Sequence, residues 1–285
     1  MSRDGTRFEE FAGRPLVHVA PVRLDERPVE ILAPGEAETW VTVPAFDEER
    51  TIGATLDALR GQRLRPLVVC IVDNMSADRT AEVVRGRAAA YTTAGIGLRL
   101  VAEPERGTGA AADTGMRVAI AVGARFLLRT DADSLPRPDW AARMRDRLDG
   151  GIDLVAGRVV ARDDERLSPG EYIKVALLMK VGAFGAVLRN WRPGFRTRFR
   201  LLVGANCAIR AEMYERVGGF PRARIDEVHD DRALMNRVRR VSNRVISDQG
   251  AVVACSARRY RAYGAAGVLR WYMRHETAGR SIDVR

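Results

Sequence analysis

From residue 40 onward, apolar positions fall into a repeating rhythm. Trp40-Val-Thr-Val-Pro-Ala-Phe46 reads as a strand. Asp47-Glu-Glu-Arg-Thr-Ile52 then opens a helix with acids in its first turn, where they complement the helix dipole. Ile52, Leu56 and Leu59 give that helix one apolar face. Leu67-Val-Val-Cys-Ile-Val72 is a continuous apolar run, as in a strand covered on both faces. The spacing next predicts a helix over 77–90, a strand over 98–101, a helix over 109–122 and a strand over 125–130. Strands thus recur roughly every 28 residues with a helix between. This predicts an α/β fold of βα units, with a mostly parallel central sheet, helices on both faces and right-handed crossovers.

Beyond Asp139 the pattern loosens. A strand is expected over 152–160, a helix over 169–188 and a basic, aromatic loop over 190–200. Residues 201–206 and 207–210 approach a strand, and 211–217 is a short helix stopped by Gly218-Gly219. A helix over 230–241, a strand over 251–254 and an amphipathic helix over 268–275 complete the reading. Ahead of the rhythm, Pro15, Pro21, Pro28 and Pro34 punctuate an extended arm with room for one edge strand. The expected organisation is an arm over 1–38, a first half over 39–150 and a second half over 151–285, within one continuous domain.

Composition narrows the class. With 285 residues, 46% hydrophobic and 29% charged, the chain is long enough for a large core. Its 47 basic and 37 acidic residues leave a net charge of +10, which favours acidic partners. The arginines are scattered and form no basic run, which argues against a nucleic-acid binder. The three cysteines (Cys70, Cys207, Cys255) sit far apart in apolar runs without a CxxC pair, so buried free thiols are expected. No secretory leader and no spanning helix is expected, because the longest apolar stretch, Val175 to Leu188, is short and holds Lys180. The expected location is cytoplasmic. Lys174, Lys180 and the 191–200 loop could add peripheral contact with an anionic membrane, though the helix also suits a core or a dimer surface.

The candidate chemistry gathers at the strand ends. Ligands of doubly wound sheets bind beyond the carboxyl ends of the strands. Polar residues follow each of the four: Asp47 and Glu48, Asp73 and Asn74, Glu103 to Arg106, and Asp131 with Asp133. In Thr130-Asp-Ala-Asp133 two carboxylates lie one residue apart at a strand's end, an oxygen-donor pair suited to a hard divalent cation that bridges to substrate phosphates. The same residues also suit a capped strand-to-helix turn.

Taken together, these blocks resemble glycosyltransferase family 2, whose members have the GT-A fold. Val43-Pro-Ala-Phe-Asp-Glu-Glu49, Ile71-Val-Asp-Asn-Met-Ser-Ala-Asp-Arg-Thr80 and Arg106-Gly-Thr-Gly-Ala-Ala-Ala-Asp-Thr-Gly115 resemble the donor-side blocks. Thr130-Asp-Ala-Asp133 resembles the DxD metal motif. Gly204-Ala-Asn, Val217-Gly-Gly-Phe220 and His229-Asp-Asp-Arg-Ala-Leu234 resemble the acceptor-side blocks, in the expected order over about 40 to 275. The resemblance implies transfer of a sugar from a nucleotide-sugar donor, UDP favoured, to a hydroxyl acceptor that is a glycan, lipid or small metabolite. It also implies Mg2+ or Mn2+ as cofactor. Asp133 would be the direct metal ligand, and Asp131 would face the ribose or reach the metal through water. Pro44, Phe46 and Glu48 would shape the nucleoside pocket, Asp73 would accept from the base, and Arg106 would lie near the diphosphate, before a helix N-terminus that attracts anions. Asp231 falls on the position of the general base, with Asp230 as its neighbour. Adjacent like charges raise one pKa, which suits a base. An acid-rich first helical turn accounts for the same two residues.

The chain also departs from the family pattern. Asp47 stands where Asn is usual, Asn74-Met75 where Asp-Gly is usual, Ala112 where many relatives carry Arg, and Asp113 where they carry Asn. His229 is either a metal ligand, as in retaining GT-A enzymes, or a structural residue. Arg258 and Arg259 grip a phosphate or form a solvated basic turn. The processive Gln-x-x-Arg-Trp signature is missing its Gln before Leu269-Arg-Trp271, which with no spanning helix expected favours single transfer over polymer synthesis, and the acid pair before Leu234 resembles that of the family's inverting members. The rival readings are a nucleotidyltransferase, which would want a Gly-rich basic loop after the first strand, and a non-catalytic nucleotide-sugar-binding module, which would have lost the metal acid or the base.

Overall fold

The computed structural model describes residues 27–165, 194–222 and 230–258, with isolated positions at 168, 170, 171, 177, 181, 185, 261, 262 and 264. Among them, nine strands form one sheet in the order β1-β4-β3-β2-β5-β8-β7-β9-β6. The edge strand β1 (Val29–Ala33) pairs antiparallel with β4 (Gly97–Ala102). The strands β2 (Thr39–Ala45), β3 (Val68–Asp73), β4 and β5 (Phe126–Arg129) are mutually parallel. All four therefore end on one side, with Ala45 opposite Asp73 and Asp73 opposite Ala102. The expected mostly parallel α/β core is thus present.

Alternate residues of the parallel strands feed two cores, one per face, because successive side chains of a strand point opposite ways. Val41, Val43, Val69 and Ile71 pack with α1 (Ile52–Arg60) and with Trp140, Met144 and Leu148 of α5 (Trp140–Asp149). Trp40, Val68, Cys70 and Val72 pack on the other face with α4 (Thr108–Ala121). That helix lies close to the sheet because its buried face is small. A Cβ on Gly115 would stand 2.4 Å from Thr42 Cγ2 and 2.8 Å from Val72 Cγ2.

Several boundaries differ from expectation. Helix α1 begins at Ile52, so Asp47 to Glu49 lie in the loop before it and none of them is in its first turn. The helix expected over 77–90 is two short ones, α2 (Thr80–Arg85) and α3 (Ala88–Thr93), broken at Gly86-Arg87. The helix α5 was not expected at all. Residues 201–206 are loop, and only Cys207–Arg210 forms β8.

In the second half, β8 runs antiparallel to both β5 and β7 (Leu154–Ala161). The long β9 (Val245–Cys255) runs parallel to β7 with a register shift at Gly157/Arg158. Beyond the turn after β5, Ser134–Pro136 forms a short β6 against the end of β9. The helices α6 (Ala211–Arg216) and α7 (Asp230–Val241) lie near their expected positions. The helix expected over 169–188 falls mostly outside the described residues, and that over 268–275 wholly so. No helix among the described residues is long and apolar enough to cross a membrane. All three cysteines are free: Cys70 and Cys207 are buried and Cys255 is half-buried.

Candidate active site

The loops after β2 and β3 are laced together beyond the sheet. The Asp47 N–H donates to Ser76 Oγ at 2.9 Å, the Glu48 N–H to Thr80 Oγ1 at 2.8 Å, and the Glu49 N–H to Asp78 Oδ2 at 3.0 Å. In return, Asp47 Oδ1 accepts the Ala77 N–H at 2.6 Å. Asp47 holds a φ of +50°, a left-handed conformation that Asn and Asp tolerate best, which accounts for an acid where Asn is usual. Asn74, buried, donates through Nδ2 to the carbonyls of Glu103 and Glu105 at 2.9 and 2.8 Å and accepts the Gly107 N–H at 2.8 Å. A carboxylate could not donate to those carbonyls, so the lattice needs the amide. Gly107, at a φ of +146°, turns the chain into the start of α4.

Asp73 closes β3, and its Oδ1 accepts the Ser76 N–H at 3.3 Å. Pro44 is buried within β2. Phe46 follows that strand, and the Arg106 guanidinium lies 5.2 Å from its ring centroid. The residues expected to meet base and diphosphate therefore touch each other.

Asp131 and Asp133 flank the turn from β5 to β6. Arg258 Nη2 lies 3.1 Å from Asp133 Oδ2, and Arg162 Nη1 donates to the Asp133 carbonyl at 3.1 Å. Arg258 also grips the Glu48 carboxylate in a bidentate pair, so it bridges the turns after β2 and β5. Arg258 thus joins the predicted site, and Glu48 meets this arginine in addition to Thr51. Arg259 and His229 lie outside the described residues. The described residues contain no group of three or more His, Cys, Asp or Glu that could hold a metal. The donor set nevertheless fits a hard cation completed by substrate phosphates and water, since such a site needs only one or two carboxylates from the protein.

Asp230 and Asp231 open α7. Asp230 Oδ2 accepts from Arg129 Nη1 at 2.7 Å, and Asp230 Oδ1 accepts the Asp231 N–H at 2.9 Å. Loss of water around Asp231, together with the charge of Asp230, pushes its carboxyl up to about 7. Burial opposes the charge of Arg129, but Asp230 and Asp131 outweigh it and hold the guanidinium above its ordinary pKa.

Three participants were missed in the sequence. Arg129 is 2% exposed at the end of an otherwise apolar strand, and a charge in such a run was the available signal. Arg222 pairs with Glu103 at 2.9 Å, Glu105 at 2.8 Å and Asp113 at 3.3 Å. Asp113 also accepts from Tyr214 Oη at 2.8 Å and Arg117 Nε at 2.9 Å, so the acid in place of Asn is matched by two arginines. Glu103, although buried, is held below its ordinary pKa by Thr114 and Arg222. Arg162, the third, supports the Asp133 turn.

A crevice of acids beyond four parallel strand ends, bordered by an acidic helix start, is the arrangement of GT-A glycosyltransferases. The sequence profile described as glycosyl transferase family 2 matches residues 40–216, and the chain belongs to that family. It is 30% identical over 149 residues to an uncharacterized protein of Methanocaldococcus jannaschii, covering 52% of this chain and 55% of that one. It is 32% identical over 122 residues to the glycosyltransferase AglE of Haloferax volcanii, covering 42% and 38%. The matched regions thus span about half or less of these curated relatives. Among solved structures, mannosyltransferase PcManGT from Pyrobaculum calidifontis, in complex with GDP-Man and Mn2+, superposes with a TM-score of 0.54 at 24% identity, over 92% of this chain and 68% of that one. TarS of S. aureus (residues 1–349) in complex with UDP-GlcNAc gives 0.55 at 16% identity, over 77% and 58%. These likenesses carry the fold.

Proposed function

We propose that this chain is a metal-dependent, inverting and non-processive glycosyltransferase that moves a sugar from a nucleotide-sugar donor to a hydroxyl acceptor. The observation that carries the reading is the direct link, through Arg129, between the acid turn of Asp131 and Asp133 and the acid pair that opens α7. Residues 39–150 would bind the donor and 151–285 the acceptor. Asp73 accepts from the base, and Pro44, Phe46 and Arg106 line the nucleotide. UDP is the favoured leaving group, and GDP, the nucleotide of the donor in the Pyrobaculum complex, is its rival.

Asp133 would hold Mg2+ or Mn2+ directly, with Asp131 beside it. Once bound, the cation supplies neutralisation of the leaving diphosphate. Asp231 takes the proton of the acceptor hydroxyl as its oxygen bonds to the anomeric carbon. The bond from that carbon to the diphosphate breaks, and its electron pair leaves with the nucleotide. A carboxyl with a pKa near neutrality is matched to this role.

The test is a panel of UDP-, GDP- and TDP-sugars with Mn2+ or Mg2+, read by nucleotide release and thermal shift. A metal-dependent response to at least one donor is expected, and Asp133→Asn should abolish its metal dependence. No binding and no release with any donor would overturn the reading.

A further inference from the structure

We propose that Arg129 is a positioning residue that fixes the catalytic carboxylates, by tying the start of α7 to the acid turn after β5. The proposal rests on the glycosyltransferase reading for its kinetic consequence, and on geometry alone for its structural one. A guanidinium inside a sheet is expensive, and an apolar residue of similar size is often as stable or more so there. The rest of β5, Phe126-Leu-Leu128, is apolar and buried. The surroundings of Arg129 are nevertheless shaped to receive it. A Cβ on Gly204 would stand 2.8 Å from Arg129 Cζ, so only glycine leaves the space. The Phe220 ring centroid lies 4.7 Å from the same carbon. Asp230 Oδ2 accepts its Nη1 at 2.7 Å, and Asp131 Oδ1 lies 3.8 Å from Nη2. Three segments distant in sequence, together with the turn that follows β5, thus converge on one side chain.

The arrangement has a direction. One oxygen of Asp230 is held by Arg129, and the other accepts the backbone N–H of Asp231. The rigid strand therefore sets the first turn of the helix, and through it the placement of the next carboxylate. Asp131, Cys207, Asp231 and Arg232 are the other ionisable groups around the Arg129–Asp230 pair, and Cys207 stays a neutral thiol, pushed up to about 12 by burial. Asp230 is accordingly the anchor and Asp231 the reacting group.

The experiment compares Arg129→Met, Arg129→Lys and Asp230→Asn with the wild-type full chain. Amide hydrogen exchange is measured in α7 and α4, and kcat and KM are measured for nucleotide release from whichever donor the panel identifies. In Arg129→Met, exchange in the first turn of α7 should rise about 10-fold while α4 stays unchanged. With that variant kcat should fall about 100-fold at a near-constant KM, because misplacement by about 1 Å has that consequence. Arg129→Lys should recover part of both effects, and Asp230→Asn should reproduce the exchange change. If Arg129→Met does not fold, the other two variants decide. Unchanged exchange in α7, or an equal rise in both helices, would overturn the proposal. Should the wild type release no nucleotide from any donor, the functional reading fails, while the exchange pattern still decides the role of Arg129.

Discussion

The two halves of the sheet are built on different rules. In the first, β2 to β5 run parallel, and each βα unit packs against the one next to it in sequence or in the sheet. In the second, β6 to β9 mix directions, and every pairing joins segments far apart in the chain. Two apolar layers run through both halves, from the parallel strands on to Val155 and Ala208 on one face and to Cys207 and Leu234 on the other. The seam between them adds arginines to that packing: Arg129 on Asp230, Arg222 on Glu103 and Asp113, and Arg258 on Glu48 and Asp133. The first half is thus a regular packed scaffold, and the second is joined to it by shared apolar packing, the β5–β8 ladder and these charged pairs. Hydrophobic burial is non-directional, whereas a guanidinium fork admits few geometries, and a site shared by two halves requires the latter.

That contrast can be broken in graded steps. The largest effect is expected at the seam's chemistry. Asp231→Asn should lower nucleotide release about 10²–10⁴-fold, the usual contribution of a general base. In the wild type the rate should climb with pH and level off above about 7, where Asp231 is ionised, and the asparagine variant should lose that limb. Next, Arg222→Met should lower stability by about 3–5 kcal/mol in a denaturant titration, because it leaves Glu103 and Asp113 buried without this partner. Within the scaffold, Gly115→Ala should cost about 1–3 kcal/mol through overpacking of α4 on Thr42 and Val72, read as a lower melting temperature. A further effect, on stability, concerns the proposed base itself. Because its pKa rises from 3.8 to about 7 on folding, the folded state keeps a proton there that the unfolded chain loses, and stability falls as pH rises through that window. Asp231→Asn should therefore flatten the melting-temperature profile between those limits and raise it above pH 7.

The same contrast governs what the sequence discloses. The strands β2 to β5 were legible to within a residue or two because buried parallel strands are continuous apolar runs between helices. The acids at their ends were legible as a cluster for the same reason. The helix α5 was hidden, because Arg143, Arg145, Asp146 and Arg147 mask its apolar stripe of Trp140, Met144 and Leu148. The break between α2 and α3 hangs on Gly86 in an otherwise helix-forming stretch. The strand β6 is three residues that exist only through β9, so no local pattern could reveal it. Asp230 and Asp231 could be found from their motif, but the pairing of Asp230 with Arg129 spans 101 residues, and no spacing rule reaches that far.

The short pairing of β6 with β9 bears on when the site comes into being. Ser134 donates to Cys255 across 121 residues, and Leu135 and Pro136 find their partners at Ala254 and Val253. The turn that carries Asp131 and Asp133 therefore cannot reach its final pairing until the ribosome has made residue 255. At about 5–20 residues per second, that leaves an interval of about 6–24 s in which the parallel scaffold can already be folded while the acid turn waits for its edge. The order of synthesis thus separates the assembly of the scaffold from the onset of its chemistry.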